Sequence, residues 1–183
     1  MGTQSIRAIL AATVLVTASP ADPGAIASEE WLQLKFDARR SGDVPERTAQ
    51  TPLGLVGTVA LTDAIFTAPV VAGGRAYAVD GSGVAFAVDT ETMEVRWTFR
   101  PRGGKANCSN VSSPAVCGRY LDYGTTAGLY CVLDRDTGEL VREIDCRDPV
   151  FGAPAVANGR VYFATLGLLV AAVAVHFIRT FYA

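Results

Sequence analysis

The sequence predicts an all-β protein that contains about two to three four-stranded antiparallel sheets, and three observations lead to this expectation. A unit recurs along the chain: TAPVVAGGRAYAVDGSGVAFAVDTETMEVRW, then SSPAVCGRYLDYGTTAGLYCVLDRDTGELVR, then a third start, GAPAVANGRVYFATLG. Aligned on Pro69, Pro114 and Pro154, the units lie 45 and 40 residues apart. Glycine-rich turns divide each unit into short runs, and some of these runs alternate apolar with polar residues as half-buried strands do.

The first unit divides into four strands at its turn residues. Gly73 and Gly74 make a tight turn, because glycine enters positive φ without a steric penalty. Asp80 to Gly83 form the next turn, and Asp89 to Met93 turn the chain again. After that turn Val95, Trp97 and Phe99 alternate with polar residues, which is the period of a strand. The predicted strands are 68–72, 75–79, 84–88 and 94–100.

The second unit repeats the same rhythm, and the third repeats its beginning. Predicted strands in the second unit are 114–117, 119–123, 129–133 and 139–145. Four short antiparallel strands in about 40 residues are the pattern of a β-propeller blade. A single blade cannot bury both of its faces, so neighbouring blades must stack around an axis. The sequence therefore predicts a partial β-propeller of about two to three blades.

A corner motif joins the third and fourth strands of each unit. It reads AVDTETMEVRW at 87–97 and VLDRDTGELVR at 132–142. The stretch resembles the blade-docking motif A-x-D-x-x-T-G-x-x-x-W of the PQQ-like, or quinoprotein-type, propeller repeat, and the chain is identified as an incomplete member of that family. The resemblance covers roughly residues 31–167. The residues that match the blade-docking motif are Asp89, Thr92, Trp97, Asp134, Thr137 and Gly138.

These motif residues are interpreted as structural rather than catalytic. The aspartate and threonine oxygens accept backbone N–H bonds across the turn. The tryptophan is a flat anchor that wedges between blades while its N–H finds an acceptor. The first copy has Met93 where the family has glycine, and the second has Arg142 where the family has tryptophan. No catalytic, cofactor-binding or metal-binding residue is predicted.

The N-terminal residues predict export. Residues 8–16, AILAATVLV, form an apolar run of signal-peptide length behind Arg7, and small residues follow it. Residues 1–27 are interpreted as a signal peptide, 28–52 as a lead-in of the kind that exported family members carry, and 53–167 as propeller blades. Within the blades, Leu53 to Leu61 is predicted as a strand without partners in its own blade. We expect a periplasmic or extracellular protein.

The apolar tail, residues 168–183, departs from the repeat and leaves three interpretations open. It is a third strand followed by an improvised fourth, a short helix that docks on a membrane or a partner, or a foreign end on a truncated propeller. The run 161–178 is nearly all apolar. A spanning helix of about 20 residues would consume 161–165, which already match the second strand of the repeat. Membrane contact through the tail is therefore the disfavoured alternative.

The four cysteines predict a disulfide rather than a metal site. Cys108, Cys117, Cys131 and Cys146 contain no C-x-x-C pair. In an oxidising compartment at least one disulfide is expected, and four cysteines allow three pairings. If the strands alternate in direction, Cys108 and Cys146 lie in loops at the same end of neighbouring blades. We expect that pair to be the easiest to join.

Composition and family resemblance leave two hypotheses of function. The net charge is −2, with 16 basic and 18 acidic side chains that form no long runs, so nucleic acid is not an expected partner. The favoured hypothesis is a non-catalytic scaffold without cofactor, which binds protein partners or associates with itself through open blade edges. The alternative is part of a quinoprotein alcohol or sugar dehydrogenase. The resemblance would then imply pyrroloquinoline quinone (PQQ) on the propeller axis beside Ca²⁺.

Overall fold

The computed structural model describes residues 30–44, 47 and 51–167, together with the backbone of 170–174. These residues form three antiparallel sheets, each with its strands in chain order. Blade 1 contains β1 Val70–Ala72, β2 Arg75–Val79, β3 Ala85–Asp89 and β4 Val95–Phe99. Blade 2 contains β5 Ala115–Cys117, β6 Tyr120–Gly124, β7 Leu129–Asp134 and β8 Leu140–Asp145. Blade 3 contains β9 Ala155–Ala157, β10 Arg160–Ala164 and β11 Val170–Ala174.

The first strands of the blades lie side by side and define the inner side of the molecule. Strand β5 contacts β1 on one side and β9 on the other. Within each sheet the later strands follow outward from this inner strand. The three sheets therefore fan out from a common centre, and the all-β partial propeller predicted from the sequence is confirmed. A 3₁₀ helix, Gly104–Asn107, lies in the connection between blades 1 and 2.

The core consists of two clusters, one in each joint between neighbouring blades. In the first joint Tyr77 and Val79 of blade 1 pack with Leu121 and Tyr123 of blade 2. The second joint, between blades 2 and 3, packs Tyr130, Val132 and Val150 with Val161 and Phe163. Successive side chains of a strand point to opposite faces. For that reason Leu121 and Tyr123 face blade 1, whereas Tyr120 and Asp122 point toward blade 3.

The prediction of a strand at Leu53 to Leu61 is wrong. This run pairs with no strand among the described residues, and Leu53, Leu55 and Val56 are 78%, 85% and 85% exposed. It passes Met93, since a Cβ placed on Gly57 would lie 2.7 Å from the methionine Cγ. The described sheets offer this run no free edge at which its apolar residues could pair.

The two ends of the chain are only partly described. Val170–Ala174 pair antiparallel with β10 as the third strand of blade 3. The predicted signal peptide, 1–27, and residues 175–183 of the apolar tail lie outside the described residues. Within the part of the chain that is described, no helix is long and apolar enough to cross a membrane.

Candidate functional site

Asp89 organises the corner between β3 and β4. Its Oδ1 accepts the backbone N–H groups of Glu91 and Thr92 at 3.0 and 2.9 Å, and its Oδ2 accepts from Arg96 Nη2 at 2.8 Å. These backbone and guanidinium hydrogen bonds hold the pKa of the Asp89 carboxyl far below its usual value. Thr92 Oγ1 accepts a long bond of 3.4 Å from the N–H of Glu94.

Asp134 organises the matching corner of blade 2, but its cation, Arg119, comes from the turn between β5 and β6 and not from the fourth strand. Oδ1 accepts the N–H groups of Asp136 and Thr137 at 2.9 and 3.2 Å, and Oδ2 accepts from Arg119 Nε at 3.1 Å. Burial raises the pKa of Asp134, yet the Arg119 guanidinium and the two amides lower it below the usual value. Thr137 Oγ1 accepts the N–H of Glu139 at 3.2 Å. The two corners thus share one backbone arrangement.

Trp97 fastens blade 1 to blade 2. Its Nε1 donates to the carbonyl of Arg135 at 3.0 Å, and its ring lies 5.9 Å from the ring of Tyr77. The indole covers Gly138, where an added Cβ would come within 2.6 Å of the tryptophan Cδ2. Gly138 also has a φ of 76°, which favours glycine. A tryptophan of one repeat therefore packs on the corner of the next.

The second joint has no such tryptophan. Arg142 takes the sheet position of Trp97, since it pairs with Val132 as Trp97 pairs with Ala87, and its side chain is exposed. Here Tyr130 stacks on Phe163, with ring centroids 3.7 Å apart.

Two buried polar groups of blade 2 face the second joint. Asp122 is 3% exposed, and burial raises the pKa of its carboxyl to about 8. Tyr130 is fully buried, and its hydroxyl has no hydrogen-bond partner among the described residues.

The lead-in runs across the inner edges of blades 1 and 2, a position that no pattern in the sequence predicts. Trp31 and Val71 exchange two backbone hydrogen bonds, of 2.8 and 2.9 Å, so that Trp31 extends the sheet of blade 1. The next residue, Leu32, accepts the N–H of Val116 in β5 at 2.7 Å. Because these bonds are made by the backbone, no side-chain pattern could have revealed them.

The lead-in continues to blade 3 through two side chains. Gln33, 7% exposed, accepts the N–H of Val156 at 2.9 Å and donates to its carbonyl at 3.3 Å. Arg40 donates to the carbonyls of Ala153 and Pro154, each at 2.9 Å, and to its own segment at Leu34. We call residues 31–40 the lead-in strap. It binds all three inner strands or the residues just before them.

The predicted disulfide between Cys108 and Cys146 is not formed in the structure, in which all four cysteines are free thiols. Cys108 is exposed, whereas Cys146 is buried in the second joint with its Sγ 3.7 Å from the carbonyl of Ile144. Both cysteines lie near the β6–β7 turn. The carbonyl of Cys108 accepts from the hydroxyl of Thr126, and the N–H of Cys146 donates to the carbonyl of Gly128. The two cysteines therefore share one end of the blade, but their thiols lie in different environments.

Comparison with known proteins identifies the repeat. The family model described as outer membrane protein assembly factor BamB matches residues 55–128 and again 113–176. The chain belongs to this PQQ-like repeat family. No curated protein matches the chain.

Solved structures show the same fold in larger proteins. A quinohemoprotein alcohol dehydrogenase from Pseudomonas putida matches with a TM-score of 0.67 and 21% identity, over 79% of this chain and 25% of that one. The corresponding enzyme from Comamonas testosteroni gives 0.61 and 22%, over 73% and 23%. BamB from Moraxella catarrhalis gives 0.56 and 19%, over 65% and 36%. The chain thus spans about a quarter to a third of these proteins.

Proposed function

We propose that this PQQ-like repeat protein is an exported, non-catalytic scaffold whose open blades bind other protein chains. The observation that carries the proposal is the lead-in strap. The inner strand edges of blades 1 and 2 are hydrogen-bonded to backbone atoms of Trp31 and Leu32, and blade 3 to Gln33 and Arg40. The centre toward which the blades converge is thereby lined by the chain's own segment.

The quinone and Ca²⁺ of the alternative hypothesis do not fit these described residues. Ca²⁺ needs several oxygen ligands, usually including carboxylates. The inner edges instead meet backbone amides, a glutamine and an arginine. Among the residues described, no group of three His, Cys, Asp or Glu side chains could hold a metal ion. The likeness to the dehydrogenases lies in the fold.

Open sheet surfaces support binding to other chains. Closed propellers have about four to eight blades, whereas the described residues form three. The run 53–66 passes the β3–β4 corner and the β2–β3 turn of blade 1, where it contacts Met93 and Gly81. In that run the exposed fraction is 55% to 85% for each of the large apolar residues Leu53, Leu55, Val56, Ile65 and Phe66. Exposed apolar residues beside a sheet are typical of surfaces that bind protein partners.

Sedimentation velocity on the full chain tests the scaffold. We expect association that increases with concentration and that Leu55→Lys with Val56→Lys abolishes, because each side chain is 85% exposed in the run 53–66. Thr58→Lys, at another exposed position of the same run, is the matched control. A chain that stays monomeric at every concentration would argue against the proposal.

Addition of PQQ and Ca²⁺ separates the two hypotheses. The scaffold predicts no quinone absorbance retained on the protein and no oxidation of alcohols or sugars. Retained quinone with dye-linked alcohol oxidation would instead establish the dehydrogenase.

Mass spectrometry tests export. Protein recovered outside the cytoplasm should have lost about the first 27 residues, as cleavage of a signal peptide of that length requires.

A further inference from the structure

We propose that the inner edges of the three blades form one peptide-binding groove, which the lead-in strap occupies as an exchangeable ligand within its own chain. The partner class that fits is a peptide that begins extended and then turns, with a glutamine followed seven residues later by an arginine. This inference rests on the proposed scaffold function, since it names one surface and the chemistry of its ligand. The groove is defined by β1, β5, the inner edge of β9 and residues 153–154.

The contacts have the form of peptide recognition by strand addition. Trp31 adds to β1 through a reciprocal pair of backbone bonds, as an extended peptide adds to an exposed sheet edge. Backbone bonds of this kind give affinity for any sequence. Specificity must then come from side chains, and the strap supplies two that reach blade 3.

Gln33 and Arg40 form hydrogen bonds with backbone groups of blade 3 and of the residues just before it. The Gln33 amide bonds both the N–H and the carbonyl of Val156, which only a side chain with a donor and an acceptor can do. Arg40 bridges the carbonyls of Ala153 and Pro154 with one nitrogen, and burial lowers the pKa of its guanidinium. The neighbouring Arg39 is exposed.

Three residues of the strap have a backbone conformation that non-glycine residues rarely adopt. Lys35, Phe36 and Arg40 have φ values of 56°, 75° and 58°, in the left-handed region that costs non-glycine residues about 1–2 kcal/mol each. Such strain persists only where surrounding contacts impose it. These turns are held by hydrogen bonds within the segment, from the N–H of Phe36 to the carbonyl of Gln33 and from the N–H of Gly42 to the carbonyl of Lys35, together with the contacts to the blades.

Cleavage of the strap from the blades tests the groove in an otherwise complete protein. A protease site inserted between Gly42 and Asp43, both exposed, frees the strap without removing any part of the chain. The inserted protein should match the parent in circular dichroism and melting before it is cut. After cleavage we expect native mass spectrometry to find the N-terminal piece still bound.

Exchange then measures specificity. The probe is a fluorescent peptide of residues 30–42, followed by polarisation as it replaces the cleaved piece. We expect the Arg40→Ala peptide to bind roughly 10- to 100-fold more weakly and Gln33→Ala about tenfold, from the loss of charged and neutral hydrogen bonds. The Arg39→Ala peptide should bind as the parent does. A strap that never exchanges, or binding indifferent to Gln33 and Arg40, would overturn the proposal.

Hydrogen exchange on the uncut chain provides a second route if the insertion perturbs folding. Gln33→Ala should speed exchange of the Val156 amide by tenfold or more, because Gln33 Oε1 is its acceptor. Arg39→Ala should leave it unchanged, and equal rates in both variants would contradict the groove. Neither readout depends on self-association, so failure here leaves the sedimentation result of the scaffold standing.

Discussion

Blade 2 presents its two faces to two different neighbours, and the two joints use different chemistry. Toward blade 1 the joint is apolar and closed by Trp97, whose N–H reaches the carbonyl of Arg135. Toward blade 3, Asp122 takes the place that Tyr77 has in blade 1, since each pairs with the first residue of its inner strand. The same backbone corner, built on Asp89 or Asp134, thus serves both a joint with an indole and a joint with a buried carboxyl.

The difference shows that the repeated motif determines the fold of each blade. It does not determine how stable the contacts between neighbouring blades are. Both corners place an aspartate under two backbone amides. The contacts between blades are made by other positions, which vary from copy to copy. The first joint should therefore be stable over a wide pH range, whereas the second should depend on the protonation of Asp122.

The largest expected effect is on pH dependence. Between about pH 4 and pH 8 the folded chain keeps a proton on Asp122 that the unfolded chain has lost, because burial raises the pKa from 3.8 to about 8. The contribution of Asp122 to the free energy of unfolding should therefore be largest at pH 4 and below, and it should fall by up to roughly 1.4 kcal/mol per pH unit through this window. Asp122→Asn should remove that slope, as chemical denaturation at pH 5 to 8 would show. Parallel pH profiles for the two proteins would refute the assignment.

Removal of the indole should have the next largest effect. Trp97→Ala deletes the ring that joins blades 1 and 2 and its hydrogen bond, at a cost of about 3 kcal/mol. Arg142→Ala is the matched control, because this exposed side chain occupies the same sheet position in blade 2 and should cost less than about 0.5 kcal/mol. Urea unfolding of both variants measures the contrast. Equal losses would mean that the two joints are not distinguished by this position.

A smaller effect is expected at the glycine beneath the indole. Gly138→Ala forces its Cβ to within 2.6 Å of Trp97 in addition to the strain of a positive φ. Gly118→Ala, with a φ of 60° and nothing within 4 Å, carries the strain alone. We expect Gly138→Ala to cost roughly 2 kcal/mol more than Gly118→Ala. The excess should disappear in a Trp97→Ala background, and its persistence there would exclude the ring contact as the cause.

The smallest prediction concerns two tyrosines on opposite faces of blade 2. Tyr123 donates its hydroxyl to the carbonyl of Gly83 at 3.1 Å, whereas the buried hydroxyl of Tyr130 has no partner among the described residues. Tyr123→Phe should therefore destabilise by about 1 kcal/mol, and Tyr130→Phe should stabilise by about as much. Thermal or urea unfolding gives the sign of each. A loss of stability in Tyr130→Phe would show that its hydroxyl is satisfied.

Most of the blade fold could be predicted from the sequence because the turns mark the strands. The predicted run 75–79 coincides with β2, and 129–133 differs from β7 by one residue. In both complete units, the first three predicted runs are each followed by a glycine or an aspartate of the turn. The run 53–61 was predicted wrongly for the complementary reason. Its residue types suit a strand, but a strand also needs a partner edge, and the described blades offer it none.

The strap and the second joint could not be predicted for other reasons. Trp31 and Leu32 bind through backbone atoms, which every residue possesses. Asp122 lies in a strand where a charged residue would be expected to face water, and only the packing of blade 3 shows that it is buried. Long-range burial of this kind leaves no local signal in the sequence.

The strap also limits how far apart the inner strands of the three blades can lie. Residues 31, 32 and 33 each bind a different blade, so the chain passes from one sheet to the next at every residue. Extended backbone advances only about 3.3 Å per residue. The backbone of Trp31 and Leu32 and the longer side chain of Gln33 together span the three inner strands. One extra residue between Trp31 and Gln33 would therefore move the Gln33 amide away from Val156.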